Sequence, residues 1–379
     1  MKPRRFENQQ QVEQHNSFKQ FQRWRSERSN KIKSKDYSYT VPNVAPDLHY
    51  LHHNRKHPSV TWVGHSTFLI QMAGLNIVTD PVWSGNMAFE KRLAPPGIPI
   101  SDVPPVDVVL ISHSHYDHLN INSLRKLGGV KQILVPAGLA GKLKLKGFRR
   151  IKELHWWESV HIHGVKFTFV PSQHWTRRNP WDTNSSHWGG WVMEPYATMP
   201  SGSGDHSHEQ VQLHGMGGSA SVAEREQQTV EAPEAKAAEA AKASVGVERP
   251  GHSHGPGHAA RPVAGIAPTV YFAGDSGYFP GFKDIGRKFH IDVALMPIGA
   301  YEPEWFMGPQ HVTPEESLQA FEDVEAKFFV PMHYGAFKLA DDTPREALDR
   351  LEACRESRCI EEERIVVLPH GESWRLAGL

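Results

Sequence analysis

The sequence predicts a layered fold of helices and β-sheet, of the α/β or α+β class. Three observations point there. Short β-like runs alternate with short helix-like runs through both halves of the 379-residue chain. The strongest ligand-type side chains each stand where one of those β-like runs ends. A single polar stretch, residues 196–268, breaks the pattern, which resumes beyond it.

Taken in order, residues 1–45 form a polar, basic arm, partly helical, with Phe18, Phe21 and Trp24 at helical spacing. Such a helix suits either an anionic lipid surface or packing on its own domain. Val60–Trp62 and Thr67–Gln71 read as strands, and Gly74 turns the chain into Leu75–Asp80, the return strand of a hairpin. The apolar run Val108–Ile111 is the next strand, and a helix opens at Asn122 and stops at Gly128-Gly129. Gln132–Val135, Lys152–Leu154, Val165–Val170 and Trp188–Met193 continue the sheet pattern.

Residues 196–268 are rich in Gly, Ser, Ala, Glu and His and carry almost no large apolar side chains. Such a stretch cannot bury enough surface to offset its ordering entropy, so it reads as a disordered, low-complexity insert at a hairpin tip. Thr269–Ala273 and Asp292–Ile298 resume the strands. Thr313-Pro314-Glu315-Glu316 opens a helix with a hydroxyl cap, proline at the first position and acids in the first turn. Phe328–Met332 is a strand, Thr343-Pro344 caps a helix running to about Arg355, and Ile365–Leu368 is expected as the last strand.

Composition narrows the class. The chain carries 42 basic and 42 acidic residues, so no global field selects nucleic acid as a partner. Two cysteines cannot build a disulfide framework, which fits a reducing compartment. The N-terminus lacks the apolar core of a signal peptide, and no run approaches the roughly eighteen apolar residues of a membrane span. A soluble cytoplasmic protein is expected, with peripheral membrane contact left open.

The chemistry concentrates in Ser112-His113-Ser114-His115-Tyr116-Asp117-His118, directly after a buried-looking strand. Imidazole and carboxylate without cysteine suit Zn²⁺ and its neighbours in an open site rather than a closed structural one. His174, Asp275 and His333 end three further strands and complete a set of seven ligands. That set matches a binuclear site if Asp275 bridges. One metal then takes His113, His115 and His174, and the other takes Asp117, His118 and His333. Two such ions, two carboxylates and one hydroxide sum to about +1, a site that would neutralise a monoanionic phosphodiester and could equally polarise carboxylates and lactones, so charge alone does not choose the reaction. Asp80 and His65 read as supports that orient ligands. Trp156, Trp157, Trp188 and Trp191 read as core packing.

His-Ser-His-Tyr-Asp-His is the H-x-H-x-D-H signature of the metallo-β-lactamase fold, and the chain resembles that superfamily. The resemblance implies an α+β, four-layer αββα sandwich over residues 46–379. It narrows to the N-acylphosphatidylethanolamine-hydrolysing phospholipase D family. The residues that carry it are Gly64–Thr67, Thr79-Asp80-Pro81, Leu154–Glu158, Pro171–Trp175, Gly274–Tyr278, Pro297–Pro303, Trp305-Phe306-Met307, Gln310-His311-Val312 and His370–Ser373.

Carried over by position, the resemblance makes the seven residues ligands of two Zn²⁺ ions. It also suggests Tyr116, Arg177 and His311 as contacts to a substrate head group. Arg177 stands where the family has lysine, so the cation is kept and its geometry is not. The loop Trp83–Pro99 departs further from the family pattern.

The implied activity is hydrolysis of an N-acylphosphatidylethanolamine-like phospholipid to N-acylethanolamine and phosphatidic acid. Asp117, His311 or zinc-bound water could assist the leaving group, and a homodimer is left open as the assembly. Two alternatives remain. One is a hydrolase of a soluble substrate such as a sugar-phosphate lactone. The other is a metal-buffering scaffold built on His206, His208, His252, His254 and His258.

Overall fold

The structure is a computed structural model describing residues 5–10, 18–87, 90–196 and 267–376. The insert expected at 196–268, with its histidines, lies almost wholly outside the described residues.

Two sheets face one another. Strands β1 (Ser59–Gly64), β2 (Thr67–Met72) and β3 (Leu75–Thr79) form an antiparallel meander. Ala73 and Gly74 both take positive φ between Met72 and Leu75, the twist a two-residue hairpin needs. After the small hairpin β4 (Asn86–Met87) and β5 (Glu90–Lys91), strands β6 (Val108–Leu110), β7 (Gln132–Pro136) and β8 (Ile151–Leu154) extend the first sheet in parallel from β3.

The second sheet contains β9 (Ser159–Ile162), β10 (Val165–Val170), β11 (Gly190–Pro195), β12 (Val270–Phe272), β13 (Val293–Pro297) and β14 (Phe328–Met332), neighbours in that order. β11 and β12, which flank residues 197–266, pair antiparallel. Strand β15 (Ser373–Arg375) closes the first sheet against β1.

Alternation along the strands makes the layers. Val60, Trp62, Phe68, Ile70, Ile77, Val108 and Leu110 point between the sheets and join Phe167, Phe169 and Leu295 in one core. Their neighbours Val63, Leu69, Val78, Val109 and Ile111 point outward and bury against helices α2 (Leu48–His53), α3 (Ile121–Lys126) and α4 (Ala140–Leu145). With both faces covered, the strands read as continuous apolar runs. On the far face lie α5 (Gly281–Lys288), α7 (Pro314–Asp323) and α8 (Pro344–Ser357), which contribute Phe282, Ile285, Leu318, Phe321 and Leu351. The result is helix, sheet, sheet, helix, as the α+β αββα expectation requires.

Both expected caps form as capping boxes, Thr313 with Glu316 and Thr343 with Glu346. One expectation fails. Ile365–Leu368 is not a ladder strand; beside β14, the end strand of the second sheet, it makes an isolated bridge from Ile365 to Phe329, and the last strand is β15, at the edge of the first sheet. Within the run only Leu368 is buried, and Val367 is exposed at 47%.

The N-terminal helix α1 (Phe18–Ser34) packs on the domain next to the short helix α6 (Glu304–Met307). Trp24 stacks on Phe306 at 5.4 Å and donates to Asp341 at 3.3 Å, while Arg23 lies 4.4 Å over the Trp305 ring. Of the two readings of this helix, Trp24 follows packing. Among the described residues, no helix is long and apolar enough to cross a membrane.

Candidate metal centre

The site forms along the edge where β3, β6, β10, β12 and β14 end. Rigid strands deliver Asp80, the His113–His118 loop, His174, Asp275 and His333 to one place, and the β1–β2 turn adds His65. Several of these positions hold strained backbone. His65, Asp80 and His333 have φ of 56°, 32° and 65°, a region that costs non-glycine residues about 1–3 kcal/mol each. Gly274, at φ 64°, admits no Cβ, which would fall 2.7 Å from that of Ser112, so only glycine lets Asp275 approach the histidine loop.

Side-chain nitrogens and oxygens gather into four overlapping groups among the described residues, two of which are His174 with Asp275 and His311, and Asp80 with His113 and His118. His113, His115 and His174 form the third; His113 Nε2 is 2.9 Å, and His174 Nε2 3.2 Å, from His115 Nδ1. Asp117, His118 and His333 form the fourth, together with His65. Asp275 lies between these last two. Its Oδ2 is 3.0 Å from His118 Nε2 and 3.8 Å from both His113 Nε2 and His174 Nε2, while Oδ1 is 3.1 Å from His333 Nε2. All seven sequence-derived ligand candidates are thus brought together, and all but His115 and Asp117 are fully buried.

Whether these atoms suit a metal can be read from what they lack. His118 Nε2, His333 Nε2 and Asp275 Oδ1 are buried without a hydrogen-bond partner although they lie close together. Polar atoms left this way cost free energy unless something satisfies them, and imidazole nitrogens facing carboxylate oxygens are a donor set for a divalent cation. The described residues therefore fit the ion pair that the sequence implies.

Ionisation supports the same reading. Burial is the leading cause that depresses His113 well below its ordinary value, His115 to about 4 and His174 to about 3, leaving neutral rings with free lone pairs. Burial also opposes charge on His118 and His333. Asp275 and Asp117 overcome it, lifting His118 well above its ordinary value and His333 to about 9. Against the same burial, His118 and His333 help hold Asp275 well below the usual carboxylate range, and His118 does the same for Asp117. The pocket thus favours positive charge between its carboxylates, the place a cation would take.

Supporting contacts orient the ligands. Asp80 accepts from Ser112 N at 2.7 Å and meets His118 Nδ1 at 2.7 Å, so the other ring nitrogen faces Asp275. His174 Nδ1 meets Gln310 O at 3.0 Å, and His65 Nε2 meets Asp117 Oδ2 at 3.2 Å. His311 Nδ1 is buried, unpartnered and 4.0 Å from Asp275. Tyr116 is half exposed at the rim, and its hydroxyl donates to Arg178 O at 2.8 Å. Arg177 is exposed, 5.3 Å from the Trp175 ring, which in turn packs on His115.

Sequence reasoning missed Arg178. Its Nη1 donates to the carbonyls of Ser114, His115 and Leu119, clamping the histidine loop, and its guanidinium lies 4.0 Å over the Tyr116 ring. Nothing in the Arg177-Arg178 pair tells from sequence which one turns inward.

Residues 75–215 and 205–334 match the beta-lactamase superfamily domain, and the chain belongs to that superfamily. It is a metal-dependent hydrolase of the metallo-β-lactamase fold. It is 27% identical over 362 residues to N-acyl-phosphatidylethanolamine-hydrolyzing phospholipase D 1 of Caenorhabditis elegans, covering 89% of this chain and 81% of that one. A mitochondrial protein of the same description from Saccharomyces cerevisiae is 27% identical over 308 residues, covering 77% of this chain and 51% of its own. A metallo hydrolase of known structure from Ignicoccus hospitalis, 19% identical, superposes with a TM-score of 0.51 over 84% of this chain and 98% of that one.

Proposed function

We propose that the protein is a phosphodiesterase with two Zn²⁺ ions per chain. It hydrolyses N-acylphosphatidylethanolamine-like phospholipids to N-acylethanolamine and phosphatidic acid. The observation that carries the reading is Asp275, set between two groups of ligand-type side chains and close to both. The names of the worm and yeast relatives support the substrate class.

In this reading His113, His115 and His174 hold one ion, Asp117, His118 and His333 hold the other, and Asp275 serves both. A bound zinc pair supplies Lewis-acid polarisation of phosphoryl oxygens and lowers the pKa of water. The chain's own residues do the rest. Asp80, His65 and Gln310 keep the ligand side chains aimed, so little reorganisation accompanies the reaction. His311 presents a buried Nδ1 beside Asp275, where it can hydrogen-bond to a phosphoryl oxygen. Asp117, with an oxygen held by His65 Nε2, or His311 would take the proton released by the attacking water and pass it to the departing N-acylethanolamine oxygen. Tyr116 and Arg177 at the rim meet the head group.

Substrate profiling of the zinc-loaded protein tests the reading, across phospholipid head groups, soluble phosphodiesters and sugar-phosphate lactones. Turnover is expected for N-acylphosphatidylethanolamine, abolished by chelation and restored by zinc. Efficient lactone hydrolysis with no phospholipid turnover would overturn it.

A further inference from the structure

From His118 to Lys152 the chain carries nine Lys and Arg and no Asp or Glu, within a sequence of zero net charge. The fold ties part of this run to the segments that hold the histidine loop. Helix α3 leaves the histidine loop directly, and Arg125 on it donates to Lys146 O at 3.1 Å, tying it to the end of α4. From α4, Lys142 reaches Asp182 at 3.0 Å and Ser185 at 2.8 Å, which ties it to the loop after His174. That loop in turn clamps the histidine loop through Arg178.

Two large apolar side chains stand out from this connected surface, Leu145 at 88% exposure and Trp181 at 83%. Helix α4 needs neither for its own packing, since Leu143 is buried under it. Single exposed apolar residues are ordinary on a protein surface. Here they belong to segments that carry Arg125, Lys126, Lys144 and Lys146, with Lys142 paired to Asp182 between them.

We propose that this face docks on an anionic lipid bilayer, with Trp181 and Leu145 entering the interface while Lys144, Lys146, Arg125 and Lys126 meet the head-group charge. Tryptophan favours the depth of the head groups, and each basic residue close to an anionic surface raises partition about fivefold. A nucleic acid would use the charge but would leave Leu145 without a role. The inference deepens the phospholipid reading and rests on it for its purpose, because a docked face would bring the metal centre close to its substrate. Helix α1 is not required, since Trp24 is committed to Phe306.

The test is vesicle co-sedimentation of the zinc-loaded full chain, using phosphatidylglycerol and phosphatidylcholine, neither of which belongs to the substrate class. Two double variants are compared, Trp181→Ser with Leu145→Ser and Lys144→Glu with Lys146→Glu, and turnover of N-acylphosphatidylethanolamine in detergent micelles is measured in parallel. The wild type is expected to bind phosphatidylglycerol vesicles, weakly at high salt, and to leave phosphatidylcholine vesicles alone. Each double variant should lose at least about tenfold in binding and keep its micellar turnover.

Binding without preference for anionic vesicles, wild-type binding by both variants, or displacement of the protein from vesicles by an oligonucleotide held through the same lysines would overturn the surface. Micellar turnover without vesicle binding sinks the surface and spares the phospholipase reading. Vesicle binding without any phospholipid turnover does the reverse.

Discussion

Asp80 Oδ2 lies 2.7 Å from His118 Nδ1, and that contact decides which nitrogen of His118 faces Asp275. A buried carboxylate reached from the first sheet therefore aims His118 at one reached from the second. Asp80→Asn keeps the shape and weakens the aim. Zinc affinity, measured by chelator competition, is expected to fall about 10–100-fold. Unchanged affinity would remove Asp80 from this role.

Asp275 is the side chain placed to serve both groups. In Asp275→Asn, zinc content is expected to fall below two per chain, with turnover lost by at least about a thousandfold, since the two ions act as a unit. Elemental analysis and turnover check it together. A variant that kept two zincs and full turnover would refute the bridging assignment.

His65 touches Asp117 from a left-handed backbone that asparagine also tolerates. His65→Asn should keep the turn and lose the hold on Asp117. The zinc that Asp117 would hold is expected to loosen about tenfold while the other stays. Equal loss of both ions would show that His65 supports the whole fold of the site instead.

The adjacent arginines are expected to separate. Arg178→Ala removes the clamp on three loop carbonyls, so amide exchange over residues 114–119 should quicken and zinc affinity should drop. Arg177→Ala, at the exposed rim, should raise KM and leave zinc affinity alone. The opposite pattern would exchange the two roles.

His187 sits away from the metal ligands, stacked on Phe6 at 4.5 Å and near Trp156 at 4.1 Å, and burial lowers its pKa to about 3. Its folded value lies below the unfolded one. Its contribution to stability is therefore present above about pH 6.5 and is lost as pH falls toward 3. His187→Phe keeps the stacking and removes the proton uptake, so acid unfolding of the zinc-free protein should move to lower pH. A midpoint unchanged or moved upward would contradict this.

Much of the site was legible because its chemistry is local. Three histidines and a carboxylate in six positions after a strand announce a metal loop, and His174, Asp275 and His333 end strands that apolar patterning reveals. Asp80, after the return strand of a hairpin, was legible for the same reason. The closing run Ile365–Leu368 was not. Its composition suits a strand, but the chain passes β14 with an isolated bridge at Ile365 and goes on to pair Ser373–Arg375 with β1 in the other sheet, a choice that local composition does not encode.

What the sequence determined by itself was the layered class and the seven ligand-type residues that the structure brings together around Asp275. Periodicity and residue chemistry are properties of short segments, and they survive without knowledge of the whole. Only the tertiary structure decided that Arg178 rather than Arg177 clamps the histidine loop, that His65 reaches Asp117, and that Trp24 packs on Phe306. It also left Trp181 and Leu145 exposed, on segments joined by the Lys142–Asp182 pair. Each of these depends on which segments distant in sequence meet, and at what angle a side chain leaves its backbone, neither of which a local pattern encodes.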